Sequence, residues 1–252
     1  MKCSVSLLAI VLGLILTVES KRGIFNKKSI KILTNITFSE PRFAPYIYTG
    51  MDLVGLNQKY GLKAVTLAFV LSKGGQCTPT WDGQEAIDNQ NAISKIKAFE
   101  KVGGHVIVAT GGAAGSYLEN ACHTVQALAG AYKHVLAVTG STHLDLDIEQ
   151  AIPIDTVTQA VAQVQKENPS VTFSLTIGSD NHGITSQGMS ILRSAVKHGV
   201  NVDIVNAMAM DYTSDKAWGG AVVDVAEATH KQMKQIWPSK SDQELYSMIG
   251  KI

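Results

Sequence analysis

The feature that most constrains this chain is its steady succession of apolar strand-like runs and helical patterns. Phe43 to Tyr48 reads as a strand, and so does Ala64 to Leu71, with Val65, Leu67, Phe69 and Leu71 on one face. Glu85 to Val102 follows as a helix, with Ile93, Ile96 and Phe99 at helical spacing and Gly103-Gly104 as its stop. The alternation continues with a strand at His105 to Thr110, a helix at Ala121 to Val138 and a strand at His143 to Ile148. Ile154 to Lys166 reads as a helix, Val171 to Ile177 as a strand, Gly188 to His198 as a helix, Val202 to Met208 as a strand and Asp224 to Trp237 as a helix. Six strands are legible, and a seventh begins near Met248 and Ile249. Such a series predicts parallel βα units.

Two closures compete, an open doubly wound sheet and a (β/α)8 barrel. A dinucleotide-binding sheet would open with a G-x-G-x-x-G turn after its first strand. Here Gly111-Gly112-Ala113-Ala114-Gly115 follows the third strand and has a different spacing, so no cofactor is expected. Composition narrows the classes further. With 45% hydrophobic and 17% charged residues the chain is globular, not disordered. A formal net charge of +1 over 252 residues argues against a nucleic-acid partner, which would demand a basic excess.

Residues 1–20 have the pattern of a secretory signal peptide. Lys2 starts it, Leu7 to Leu16 is apolar apart from Gly13, and Val18-Glu19-Ser20 offers a cleavage point. The alternative, a membrane anchor, meets a run too short to span ~30 Å of hydrocarbon. A secreted, extracellular protein is therefore expected, with no membrane partner once the signal is removed. Residues 21–40 read as a basic linker carrying Lys21, Arg22, Lys27, Lys28 and Lys31, and residues 41–252 as the folded domain. Asn35-Ile36-Thr37 is an acceptor sequence for N-glycosylation. Cys3 leaves with the signal. Cys77 and Cys122 then form a candidate disulfide, with two separate buried thiols as the alternative.

The stretch that carries chemistry is Thr142-His143-Leu144-Asp145-Leu146-Asp147-Ile148-Glu149. A strand alternates its faces, so Asp145, Asp147 and Glu149 point one way and Leu144, Leu146 and Ile148 the other. The outer face of a barrel strand packs on helices, which sends the three acids inward. Burying carboxylates side by side is costly without partners or shared protons. One of them should keep its proton near neutral pH, as a general acid must. Glu149 is last in the row and falls at the C-terminal mouth of the strand, where such barrels hold their active sites. A metal site of hard oxygen ligands is the alternative for D-x-D-x-E, but no histidine pair at ligand spacing and no EF-hand glycine accompany it, so no metal is expected.

This row resembles the catalytic strand of glycoside hydrolase family 18, the chitinases, whose pattern is D-G-x-D-x-D-x-E; Thr142 and His143 stand at its first two positions. A bacterial-type branch of the family carries the wording T-H-L-D-x-D-I-E. Further stretches resemble the family's other strands: Phe43-Ala44-Pro45-Tyr46, Leu67-Ala68-Phe69 with Gly74-Gly75 and Cys77-Thr78-Pro79, Val106-Ile107-Val108 leading into Gly111-Gly112, and Asn206 to Tyr212. The resemblance implies a TIM (β/α)8-type barrel with six to seven of its eight βα units. It implies a retaining, substrate-assisted hydrolysis of chitin or chito-oligosaccharides, of the kind that departs from the usual two-carboxylate scheme. Glu149 would protonate the glycosidic oxygen and later activate water. Asp147 would hold the sugar's 2-acetamido group and stabilise the oxazolinium, and Asp145 would share a proton with Asp147. Asp211, Tyr212, Phe69, Tyr46, Gly111 and Gly112 would line the sugar site. A carbohydrate-binding protein without turnover and an enzyme of N-glycan cores fit the same residues.

The sequence also departs from the family's pattern. Ala109 stands where a serine often precedes the glycine pair, which predicts one hydroxyl partner fewer for the acids. Met210 stands where many members have tyrosine, and both Met208 and Met210 read as core packing. The chain ends at Ile252, where the seventh strand begins, and neither Trp218 nor Trp237 matches the family's floor tryptophan, so a barrel shortened at its C-terminal end is expected.

Overall fold

A computed structural model describes residues 43–251. The segments expected to be a signal peptide and a linker, with the acceptor sequence at Asn35, lie outside the described residues. The strands are β1 (Tyr46–Tyr48), β2 (Ala64–Lys73), β3 (Gln76–Trp81), β4 (Glu85–Ala86), β5 (His105–Gly111), β6 (His143–Ile148), β7 (Thr172–Asp180), β8 (Gly183–Ile184), β9 (Ile204–Met208) and β10 (Ile249–Lys251). The helices are α1 (Leu53–Tyr60), α2 (Gln90–Lys101), α3 (Leu118–Ala121), α4 (Val125–Thr139), α5 (Ile154–Glu167), α6 (Ser186–Lys197), α7 (Trp218–Ile236) and α8 (Asp242–Met248).

The order of strands decides between the two closures. β1, β2, β5, β6, β7, β9 and β10 are all parallel, each paired to the next in chain order. A doubly wound sheet would reverse direction at a switch point; this one winds steadily, as a barrel does. The expected TIM-type architecture is present with seven parallel strands, the last of them where Met248 and Ile249 predicted it. Among the described residues β1 and β10 stand at the two ends of this series.

The layers follow the alternation of side chains. Leu144, Leu146 and Ile148 on β6, Phe173, Leu175 and Ile177 on β7 and Val205 on β9 are buried in one core cluster with Leu128, Tyr132 and Val161 of the surrounding helices. Each such side chain contributes on the order of 1.5–3 kcal/mol by leaving water. The inner face is polar instead: Thr66, His143, Asp145, Asp147, Ser174 and Thr176 are all buried. That polar lining positions the site.

Several expected bounds are corrected. Glu85–Ala86 pairs with β3 instead of starting a helix. The helix begins at Gln90, where Asn89 accepts from the backbone N–H groups of Asn91 and Ala92. The helix expected from Ala121 starts at Val125, after the cap by Thr124. That expected from Asp224 starts earlier, at Trp218, because Gly219 and Gly220 hide its first turn from a propensity reading. The first strand begins at Tyr46, not Phe43. The sequence reading missed α1, α8 and the β3–β4 hairpin. α1 buries Leu53 alone, so its periodicity is faint, and β3 contains Pro79. β2 outruns β1 and pairs antiparallel with β3 from Val70 onward. The expected disulfide joins Cys77 of this hairpin to Cys122 at the end of α3, with Cα atoms 4.7 Å apart. Among the described residues no helix is long and apolar enough to cross a membrane.

Candidate active site

Strand β6 fixes the acids. Its register sets Asp145 level with Ala109 on β5 and Ser174 on β7, and Asp147 level with Gly111 and Thr176. Asp145 and Asp147 are buried at 1% and 5% exposure, whereas Glu149, just beyond the strand, is exposed. The row therefore runs from the dry interior to the open mouth.

Asp145 is the best-partnered of the three. Tyr46 donates its phenolic hydrogen to Oδ2 at 2.6 Å, and Ser174 donates to Oδ1. Thr176 Oγ1 lies 3.1 Å from both carboxylate oxygens and itself accepts from Asn206 Nδ2 at 3.1 Å. Ala109 contributes no hydroxyl, but β7 on the opposite flank and β1 supply several. Burial pushes the Asp145 carboxyl up, opposed by the hydrogen bonds from Ser174 and Tyr46, by the nearby His143 and by Thr176. The Tyr46 hydroxyl is likewise pushed up, by burial first and then by the charges of Asp145 and Asp147.

Asp147 is in the opposite situation. Its Oδ1 makes no hydrogen bond. Burial, then the charges of Asp145 and Glu149, push its carboxyl up to about 8. A buried pair of carboxyls is most stable with one proton between them. The charge settles on Asp145, where the donors are, and the proton on Asp147. Glu149 is also pushed up, first by the partial burial of its carboxyl at the cleft mouth and then by the charge of Asp211. An exposed carboxyl that resists ionisation, at a cleft mouth, is suited to act as a proton donor.

Two glycines let the strands approach. Gly111 and Gly112 both have positive φ, 94° and 95°. A Cβ on Gly111 would overlap the Asp147 carbonyl oxygen, and one on Gly112 would lie 2.8 Å from the Phe69 ring. The Gly112 N–H donates to that same Asp147 carbonyl at 2.9 Å. Phe69 lies beside Tyr46, ring centroids 5.7 Å apart, so it shares the inner side with the acids. This departs from the expected face shared with Leu67. The register of β2 against β5 breaks between Leu67 and Val70, and the Ala68–Phe69 peptide is cis.

Tyr117 was not legible as a site residue. Its ring is fully buried, and its hydroxyl lies 2.5 Å from the Gly112 carbonyl and 3.2 Å from the Asp147 carbonyl, while accepting from the Glu149 N–H at 3.1 Å. One hydroxyl thus ties together the backbone on either side of the acids. Burial is the main reason that this phenol is pushed up to about 12. It sits in a connection without periodicity, so no pattern singles it out. Ser174 and Thr176 could have been found: Thr172-x-Ser174-x-Thr176 alternates in step with His143-x-Asp145-x-Asp147.

The remaining candidates divide. Asp211, with φ 59°, is near enough to influence Glu149 electrostatically. Tyr212 has a buried hydroxyl without a hydrogen-bond partner among the described residues. Its ring packs against Ala207, Ala209 and Val225, and meets Trp218 edge-on at 5.5 Å. Met208 is no core residue: it lines a cleft of about 260 Å³ with Glu149, Thr185 and Gln187. Met210 is 38% exposed. Among the described residues no group of three or more His, Cys, Asp or Glu side chains is placed to hold a metal ion.

No protein-family model matches the chain. It is 31% identical over 232 residues to a probable bifunctional chitinase/lysozyme of Escherichia coli, covering 82% of this chain and 26% of that protein. It is 30% identical to endochitinase 11 of Metarhizium anisopliae, over 82% of this chain and 44% of that one. The chain thus spans less than half the length of these curated relatives. Its fold superposes with a TM-score of 0.78 on the catalytic domain of a hyperthermophilic chitinase from Pyrococcus furiosus, 38% identical over 84% of this chain and 72% of that one. The chain belongs to glycoside hydrolase family 18, the chitinases. Its acid row, glycine pair and inner tyrosine therefore stand within a family-18 barrel.

Proposed function

We propose that this family-18 domain hydrolyses β-1,4 bonds between N-acetylglucosamine units of chitin or chito-oligosaccharides, with retention of anomeric configuration and assistance from the substrate. The observation that carries this reading is the graded acid row: Asp145 buried and richly bonded, Asp147 buried with a carboxyl at about 8, Glu149 exposed at the mouth. Glu149 gives its proton to the glycosidic oxygen as the C1–O bond breaks. The 2-acetamido oxygen of the same sugar attacks C1 and forms an oxazolinium. Asp147 holds the acetamide, and the negative charge on the Asp145–Asp147 pair stabilises the positive ring. Glu149, now ionised, takes a proton from the water that opens the ring. Phe69 and Tyr46 border the reacting sugar, Gly111 and Gly112 let the strands close around it, and Asp211 reaches it from the mouth of β9.

A related Pyrococcus furiosus chitinase with altered catalytic-site residues has been seen with chito-oligosaccharides bound, which supports that substrate class for this chain. Secretion is part of the same proposal. It rests on the apolar run Leu7 to Leu16 and on the Cys77–Cys122 bond, which suits an oxidising compartment. The test is turnover of a labelled chito-oligosaccharide by the protein and by its Glu149→Gln variant. Activity that falls by at least about 10²-fold in the variant is expected. A folded parent that binds the oligosaccharide without cleaving it would replace the enzyme with a lectin-like protein.

A further inference from the structure

His143 stands at the second position of the family's acid pattern, directly below Asp145 on the inner face of β6, and is 3% exposed. Its Nε2 lies 2.9 Å from Ser174 Oγ, and its Nδ1 lies 2.8 Å from Thr172 Oγ1. Ser174 in turn donates to Asp145 Oδ1. The hydrogens can be counted. A serine hydroxyl has one hydrogen, and Ser174 gives it to the carboxylate. Its oxygen must then accept from His143, which requires a hydrogen on Nε2. Nδ1 faces Thr172 Oγ1, whose own hydrogen is shared between that nitrogen and the Thr142 carbonyl 3.3 Å away. The ring thus feeds a hydrogen bond through Ser174 into the acid pair, from the side opposite to the substrate.

We propose that His143 is a positioning residue that acts through Ser174 to keep Asp145 ionised and the proton of the pair on Asp147. The proposal rests on the reading of the site as a family-18 acid row. Other groups facing Asp145 do not replace this effect. β1 contributes the Tyr46 hydroxyl, β7 contributes Thr176, and Asn206 of β9 reaches Thr176. β5 brings only Ala109. Among the described residues the other acid beside Asp145 is Asp147, with which it shares the proton, and the basic side chain with an influence on Asp145 is His143. A donor that favours the carboxylate lowers its proton affinity, so removing it makes the doubly protonated, inactive pair persist to higher pH.

The experiment measures kcat and KM against pH, with a labelled chito-oligosaccharide, for the parent and for His143→Gln, His143→Leu, Ser174→Ala and His143→Leu/Ser174→Ala. Gln places an N–H near the imidazole Nε2 and retains the donor. We expect His143→Leu and Ser174→Ala to lower kcat about tenfold with little change in KM, and to move the acid limb of kcat up by about one pH unit. His143→Gln should keep the parent's acid limb. The double variant should be no worse than Ser174→Ala alone, since one path is being cut twice. An unmoved acid limb in His143→Leu, a shift in His143→Gln equal to that in His143→Leu, or additive losses in the double variant would each overturn the proposal. A parent without turnover would fail the proposed function instead. The path would then be read by nitrogen-15 NMR of the imidazoles, assigned with His143→Gln. Hydrogen on Nε2 supports the proposal, and an Nε2 without hydrogen refutes it.

Discussion

Replacing Asp147 by Asn should stabilise the fold while abolishing turnover. In the unfolded chain an aspartate ionises near 3.8, whereas in the fold this carboxyl holds its proton up to about 8. At pH 7 the fold therefore keeps a proton that the unfolded chain has released. The gap from 3.8 to 7 is about 3.2 pH units, and at 1.36 kcal/mol per unit the cost to stability is at most about 4 kcal/mol. Coupling to Asp145 reduces this, so roughly 2–4 kcal/mol is the expected gain for Asn, which is near-isosteric and has no proton to lose. The sign sets the test. Because the folded value is raised, the parent loses stability as pH rises through the window from about 4 to about 8, while below it both states hold the proton. Urea unfolding followed by tryptophan fluorescence would be run at five pH values across that window. The variant's advantage should vanish near the acid end and grow by as much as about 1.4 kcal/mol per pH unit. An offset between parent and variant that is constant with pH would refute the reasoning, since Asp147 would then ionise as it does in the open chain.

Other perturbations have equally definite outcomes. Tyr117→Phe removes the hydroxyl that holds the Gly112 and Asp147 carbonyls and the Glu149 N–H; it should cost about 1–3 kcal/mol of stability and lower kcat without a matching rise in KM, as denaturant titration and steady-state kinetics would show. Cys77→Ser opens a link across 45 residues of chain and should lower stability by about 4 kcal/mol in oxidising buffer, a difference that a reductant should erase. Gly111→Ala drives a Cβ into the Asp147 carbonyl from a positive φ, so circular dichroism should report a lowered Tm and the kinetics a loss of turnover, whereas Gly130→Ala, inside α4 with open space around it, should leave turnover unchanged and raise stability by about 0.5–1 kcal/mol.

The parts of this molecule that were legible in its sequence are those with a period. Leu144, Leu146 and Ile148 alternate with Asp145 and Asp147, so β6 and its two faces could be assigned from the chain alone. The helices with strong apolar stripes, α2, α5 and α6, were found within a few residues of their ends. Elements held by something other than a stripe escaped. The β3–β4 hairpin is held by backbone pairing and a disulfide. α8 is started by the capping box of Ser241 and Glu244 and buries only Leu245 and Met248.

Ala109 carries the more general lesson. A carboxylate on a parallel strand has a neighbour level with it on each flank, and either flank can supply a hydroxyl. For Asp145 these neighbours are Ala109 and Ser174. Reading only the β5 side suggested a partner lost, and the register against β7 supplies one. Register is not written in any single segment, because it is fixed when whole strands align their buried faces. Once β6 and β7 align Leu144 with Phe173 and Leu146 with Leu175 on the helix side, Asp145 and Ser174 have no choice but to meet on the inner side. The apolar packing outside the barrel thereby decides the hydrogen bonding of the acids within it. A substitution in the outer layer that slipped this register would be felt at Asp145 before it was felt in the rest of the fold.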